Sequence, residues 1–342
     1  MVAPTARPSR NARPSGEEFR VLAVSCVSQS ENDPLSGLVV GDQPELEPRE
    51  GWVRVSLRAS ALNHHDLWSL RGVGLAADRL PMILGGDGAG VLDNGDEVVV
   101  HSVIGDPAAG GGDETLDPKR TLLSELYPGT LAEAVLVPER NVVPKPAALT
   151  FEEAACVPTA WLTAYRMLTT RSGLDGPATI LVQGAGGGVA TAAIILAKAL
   201  GHTVFCTSRD ASKRQRAEEC GADASFETGA RLPTKVDVVV ETVGQATWSH
   251  SLRSLRPGGR VVVSGATSGA NPPSDLNRVF FLQLEVVGST MGTRDELVEL
   301  LALLETTGAR PVIQDVRPLA DARSALQEMA DGDAFGKFVL RP

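Results

Sequence analysis

The hydrophobic pattern of the chain changes character near residue 146. Before it, short runs that alternate apolar and polar residues, such as Trp52-Val53-Arg54-Val55-Ser56-Leu57 and Asp96-Glu97-Val98-Val99-Val100, are punctuated by Gly, Pro, Asn and Asp. A period of two broken by turn residues predicts strands with one buried face, so residues 19–146 are expected to form a compact β-barrel-like unit. The glycine cluster Gly110-Gly111-Gly112 and the aperiodic stretch from Asp113 to Tyr127 predict a loop projecting from it.

After Pro146 the alternation disappears. Ala178 to Gln183, Thr203 to Thr207, Val236 to Val240 and Arg260 to Ser264 are short apolar runs with helical patterns between them. Strands buried on both faces and separated by helices predict an α/β unit over 147–289, built on a doubly wound parallel sheet. Helices are expected from about Val189 to Leu200 and from Ser212 to Cys220, each stopped by a glycine, with Ser212 a plausible cap. Beyond Gly288 a helix from about Asp295 to Thr306 and a strand over Phe335 to Leu340 are expected to lead residues 290–342 back to the first unit.

Length and composition agree with two globular domains, since 342 residues exceed what one core usually organises. A formal charge of -10 repels phosphate backbones and anionic headgroups, so neither nucleic acid nor a membrane is an expected partner. No run is apolar enough to span a bilayer. Residues 1–18, with several Arg and Pro, fail as a signal peptide and predict a flexible tail. The four cysteines form no Cys-x-x-Cys pair, which predicts reduced thiols in a cytoplasmic protein.

The candidate chemistry centres on Gln183-Gly184-Ala185-Gly186-Gly187-Gly188-Val189-Ala190. These glycines lie where an apolar strand gives way to a helix, a turn whose backbone N–H groups and helix dipole can hold a pyrophosphate. Two registers fit: Gly184-x-Gly186 followed by Gly188 or Val189, or Ala185-x-Gly187-x-x-Ala190. After the second strand, where an acid would bind the ribose of NAD(H), the chain has Ser208, and Arg209 with Lys213 offers two cations for a 2′-phosphate. That pattern favours NADP(H), unless both cations are only solvated surface charges or Asp210 turns inward. Gly244 and Gly265-Ala266 close the carboxyl edge of the expected sheet, where ligands bind in such folds.

The whole order of elements from about Phe19 resembles the medium-chain dehydrogenase/reductase superfamily. The resemblance rests on Ala61-Leu62-Asn63-His64-His65-Asp66-Leu67-Trp68, Gly85-Gly86-Asp87-Gly88-Ala89-Gly90, Gly129-Thr130-Leu131-Ala132-Glu133, Ala160-Trp161-Leu162-Thr163-Ala164-Tyr165 and Leu255-Arg256-Pro257-Gly258-Gly259-Arg260. It implies a GroES-like catalytic domain, a Rossmann domain and an active site in the cleft between them. It also implies a homodimer through a sheet edge, for which Leu284 to Gly288 is suited. Zinc alcohol dehydrogenases of that superfamily carry metal ligands where this chain has Asn63, Gly86-Asp87 and Thr159. Zinc requires thiolate, imidazole or carboxylate at near-tetrahedral positions, which Asn, Gly and Thr do not supply, and no cysteine lies in 110–127 for a second, structural zinc. His64 and His65, expected on a strand and therefore facing opposite ways, make a poor metal pair. The pattern is similar to the zinc-independent quinone oxidoreductase-like branch, which has Asn-x-x-Asp in the first segment and Gly-x-Asp in the second.

Without a Lewis acid, hydride transfer from NADPH suits a small-molecule acceptor already polarised by conjugation, such as a quinone, an enone or an enoyl thioester. The resemblance places His65 where zinc dehydrogenases keep a hydroxyl that relays the substrate proton, His64 at the pyrophosphate and Thr163 beside the nicotinamide. His65 is thus the expected proton donor. Its alternative is a local structural role. Asn63 is expected to bond the substrate carbonyl or the nicotinamide ribose, Asp66 to orient the strand, and Tyr127 to be a second possible donor. Trp68, Phe280 and Phe281 could wall an apolar pocket. A metal-free alcohol or aldehyde dehydrogenase and a non-catalytic NADPH-binding protein remain the alternatives.

Overall fold

The computed structural model describes residues 20–44 and 46–342, so the N-terminal tail lies outside the described residues. The first unit is organised by the long strand Trp52–Ala61, which pairs antiparallel with Asp87–Leu92, Ala134–Pro138 and the C-terminal strand Lys337–Arg341. Val55, Leu57, Val98, Val100, Val135 and Val137 occupy alternate positions of these strands and Glu97–Val100, and together they fill the unit's interior. A second sheet, Leu38–Pro44, Arg20–Cys26 and Met82–Ile83, packs with it.

The second unit is a six-stranded parallel sheet in the order Ala224–Phe226, Thr203–Thr207, Thr179–Val182, Val236–Glu241, Leu255–Val263, Glu285–Gly288. The strand order reverses direction at Thr179–Val182, the place where parallel sheets open a ligand crevice at their carboxyl ends. Helix Gly188–Ala199 covers the sheet with the buried face Ala192, Ala193, Ile194, Leu196 and Ala197. The two units share one core, in which Ala61 and Ala89 of the first unit join Trp161, Val182 and Leu300. Helix Arg294–Thr307 contributes Leu297, Leu300, Leu301 and Leu304 to it and packs on helix Leu162–Leu168. Strand Ile313–Pro318 then carries the chain back into the first sheet.

The stretch after Gly112 does not project. Glu114 is buried, with an oxygen 3.4 Å from the His101 ring and 2.7 Å from the Arg294 backbone N–H that donates to it. Asp113 pairs with the buried Arg166, whose guanidinium also bonds Glu296 at 2.8 Å. Hydrogen bonds between residues 53 and 180 positions apart anchor this loop, a long-range arrangement that local periodicity does not encode.

Candidate active site

The strand Thr179–Val182 runs into a turn whose glycines are demanded by the backbone. Gly184 has φ +78° and Gly186 φ +118°, a region closed to most side chains, which selects the Gly184-x-Gly186 register. A side chain on Gly188 would come within 2.8 Å of the Lys337 stem and 3.1 Å of Ala160. Ala185 and Val189 are half-buried beside it, and Gly187 is exposed at the start of its helix, which no side chain caps. Those uncapped N–H groups are the anion-binding end of the helix.

Beneath the turn, Gly184 N–H donates to the Thr207 hydroxyl, which donates in turn to the buried Gln183 at 2.7 Å. Gln183 Nε2 donates to Ser251, and Ser251 to the buried Glu241. Glu241 also accepts from the backbone N–H of Val243 and Gly244. At Gly244, φ is +87° and a Cβ would meet Gly269 O at 2.6 Å, while one at Gly265 would lie 2.9 Å from Thr242 O. Gly265 and Ala266 therefore pass close to the neighbouring backbone, as a bare cradle for a flat ligand requires. These residues fit a dinucleotide.

At the end of strand Thr203–Thr207, Ser208 is buried and no acid stands in its place. Ser212 is not the cap of the following helix: Asp210 is, with its carboxylate accepting from the N–H groups of Ser212 and Lys213 at 2.7 and 3.2 Å. An acid one residue before the helix reaches those donors directly, so Asp210 is engaged at the helix start. Arg209 is exposed. Lys213 is not simply solvated, because its ammonium donates to Gly332 O at 2.6 Å. Arg214, which the sequence reading passed over, donates to the Ser208 carbonyl.

His64 and His65 lie on a helix, His64–Leu70, and not on a strand. Asp66 starts that helix rather than orienting a strand: fully buried, it accepts from Asn63 N at 2.8 Å and Gly85 N at 3.0 Å. His64 keeps substantial solvent exposure, yet the protein packed around it partly desolvates the ring, and this, with the charges of Lys337 and Arg71, lowers its pKa. His65 Nε2 lies 3.0 Å from Glu125 Oε1. Burial opposes protonation of His65, but the hydrogen bond it donates to Glu125 and the charges of Asp66 and Glu125 outweigh it and raise its pKa. Glu125 is presented by a tight turn in which the buried Ser124 adopts φ +70°, a conformation costly for a non-glycine residue. Gly74 closes over the pair, since a Cβ there would meet Glu125 at 3.1 Å and His65 at 3.3 Å.

Asn63 is bonded on both sides of its amide, with Lys337 Nζ donating to Oδ1 at 2.5 Å and Nδ2 donating to Asp87 Oδ2 at 2.8 Å. Thr163 is buried just after the π-helical turn Val157–Trp161. Tyr127 is placed elsewhere: its ring packs edge-on against Trp52 at 4.8 Å with Arg49 over both, a packing role in the barrel wall. Phe280 and Phe281 do not wall a pocket, being 67% and 78% exposed on helix Leu276–Phe281. Trp68 is half-buried under Arg71. Glu125 and Lys337 are the candidate-site residues that the sequence pattern did not single out. Glu125 gives no local signal, whereas a lysine opening the apolar run Phe338-Val339-Leu340 could have drawn notice.

Two units joined by a shared core, with a Rossmann turn facing a histidine-bearing segment of a GroES-like barrel, define a nucleotide-dependent oxidoreductase architecture. The family models agree: residues 49–147 match the alcohol dehydrogenase GroES-like domain and residues 188–306 the zinc-binding dehydrogenase domain. A solved NAD-dependent alcohol dehydrogenase is 34% identical, covers 95% of this chain and 100% of its own, and superposes with a TM-score of 0.87. The acryloyl-coenzyme A reductase of Sulfurisphaera tokodaii is 28% identical over 90% of this chain and 98% of its own length. The spectinabilin polyketide synthase protein NorB of Streptomyces orinoci is 33% identical over 96% of this chain, which spans 14% of that much longer protein. The chain belongs to the medium-chain dehydrogenase/reductase superfamily, whose members use a nicotinamide cofactor.

The second family model is named for zinc, and the residues at hand do not fit that metal. Asn63, Gly86, Asp87 and Thr159 stand where the resemblance implies metal ligands, and Asn63 and Asp87 are already bonded to the Lys337 ammonium. Among the described residues no group of three or more His, Cys, Asp or Glu side chains could hold a metal ion.

Proposed function

We propose that this chain is an NADPH-dependent reductase of conjugated carbonyl compounds, quinones, enones or enoyl thioesters, which works without catalytic zinc. The carrying observation is the His65–Glu125 pair, a polarised imidazole beside Asn63 in a site whose donor set suits no metal. The bound nicotinamide supplies hydride to the electrophilic carbon of the acceptor. His65, protonated, keeps its Nε2 hydrogen on Glu125 and offers the Nδ1 hydrogen to the anion that hydride addition creates. Asn63 has one amide hydrogen left for the acceptor oxygen, a donor of the kind that stabilises an enolate. His64 serves the pyrophosphate end and Thr163 the nicotinamide end.

For the cofactor, Ser208 replaces the ribose-binding acid, Arg214 donates to its carbonyl, and Arg209 and Lys213 follow close behind it in the chain, a run of positive charge that suits a 2′-phosphate. The similar NAD-dependent structure argues the other way, so the choice rests on those four residues. The reductase name of the acryloyl-coenzyme A relative supports a conjugated acceptor. A second reading, oxidation of an alcohol, is favoured by the similarity to the alcohol dehydrogenase. Initial rates with NADPH and NADH against quinone, enone and enoyl-thioester panels, and with NADP+ against primary and secondary alcohols, separate the two. Consumption of NADPH only with conjugated acceptors is expected. Turnover confined to alcohols would replace the first reading by the second.

A second copy of the chain fits the edge strand Glu285–Gly288, where Val286 is 50% exposed and the neighbouring helix presents Phe280 and Phe281 to solvent. Unpaired strand edges flanked by apolar surface invite pairing across a two-fold axis. No described helix is long and apolar enough to cross a membrane.

A further inference from the structure

Lysine is almost never fully buried unless its charge is paired. Lys337 is 3% exposed, and its ammonium donates to Leu62 O at 2.6 Å, Asn63 Oδ1 at 2.5 Å and Asp87 Oδ2 at 3.1 Å. Asp87 is wholly buried, and its second oxygen, Oδ1, has no hydrogen-bond partner. Asn63 Nδ2 donates to the same Asp87 oxygen that Lys337 holds. Ammonium, carboxylate and amide thus close a triangle. The Lys337 stem lies against Gly188, and the preceding residue, Gly336, donates its N–H to Gly186 O at 2.7 Å. One strand end therefore touches both the cofactor turn and the candidate substrate-binding amide.

We propose that Lys337 is the positioning cation of the active site, fixing Asn63 with its amide nitrogen available to the substrate and taking up the donor atoms that a metal would otherwise need. An asparagine amide has two orientations related by a flip, and only one suits these neighbours. An ammonium can only donate and a carboxylate can only accept, so Oδ1 must face Lys337 and Nδ2 must face Asp87. The flipped form would set a donor against the ammonium and an acceptor against the carboxylate. The arrangement leaves one amide hydrogen free and keeps the amide oxygen away from an electron-rich acceptor. Lys337 touches neither substrate nor hydride in this scheme; it acts through Asn63. The inference rests on the reductase reading above.

Lys337→Met alone leaves Asp87 as an unpaired buried charge, so the neutral pair Lys337→Met with Asp87→Asn accompanies it as the better-tolerated variant. In a double-mutant cycle with Asn63→Ala, the Lys337 changes should lower kcat for the preferred enone at least about tenfold when Asn63 is present and less than about twofold when it is already alanine. KM for NADPH should move little. Equal fold losses in both backgrounds would overturn the proposal. Selective 15N labelling of asparagine gives a readout free of turnover: of the two Asn63 side-chain hydrogens, the one held by Asp87 should be protected from solvent exchange in the parent chain and unprotected in the neutral pair. Unchanged protection would overturn the proposal equally. If the parent chain reduces no conjugated acceptor, the reductase reading fails, and the labelling result alone decides whether Lys337 fixes Asn63.

Discussion

At the scale of single residues, the proposed chemistry turns on a proton held at His65. Its pKa lies above the ordinary value of 6.5 because Glu125 and Asp66 outweigh burial. The donor is the charged form, so kcat should be maximal below that raised pKa and fall as pH rises through it. Glu125→Gln removes the largest raising influence and leaves burial dominant, so the falling limb of a kcat–pH profile should move to lower pH. A limb that stays in place would take Glu125 out of the mechanism. His65→Gln should lower kcat by roughly 10². At the ribose end, replacing Arg209 and Lys213 together by alanine should raise KM for NADPH about tenfold and leave KM for NADH nearly unchanged, since each charge-assisted bond to a phosphate is worth more than a neutral one. Equal effects on both cofactors would contradict a 2′-phosphate site. The residues visible in the sequence were those whose role is local or motif-bound: the glycines, Asn63, His64, His65 and Ser208. Glu125 was invisible because only the fold brings it to a histidine 60 residues away.

At the scale of elements, long periodic segments were legible and short ones were not. Helix Gly188–Ala199 and the parallel strands have enough apolar repeats to declare their period, whereas His64–Leu70 spans barely two turns and offers no pattern that separates a helix from a strand. The usable signal was Asp66, three residues after Asn63, the spacing at which an acid reaches back to the N–H before a helix. The same physics moved the start of helix Ala211–Glu219 from Ser212 to Asp210. Asp210→Ala should lower the midpoint of urea denaturation, as loss of a cap does. It should also weaken NADPH binding, because Lys213 sits in the turn that the cap holds. A loss of stability with no change in NADPH affinity would separate the helix start from the cofactor site.

At the scale of the whole molecule, the passage from antiparallel to parallel strands was legible from the change of period near residue 146, but the way the chain's segments are joined was not. The loop carrying Asp113 and Glu114 reaches Arg166, Glu296 and Arg294 of other segments, and those pairings depend on the finished fold. Burial alone would raise the Glu114 pKa, yet the His101 ring and the Arg294 N–H bring it down to about 2. Its contribution to stability is therefore present above the ordinary carboxylate value and is lost only as pH falls through about 2. Arg166→Met leaves two acids without their cation and should cost about 3 kcal/mol in urea denaturation, since breaking a buried pair strands its partner. Under the proposed pairing of two copies, Val286→Lys on the edge strand should shift the chain from dimer to monomer in light scattering. The central claim, hydride delivery from NADPH to a conjugated acceptor without zinc, is tested most directly by steady-state NADPH and NADH consumption with an enone, measured on protein whose metal content has been determined. The account predicts faster turnover with NADPH, no stoichiometric zinc and no loss of rate on chelation. Stoichiometric zinc with activity abolished by chelation would contradict it.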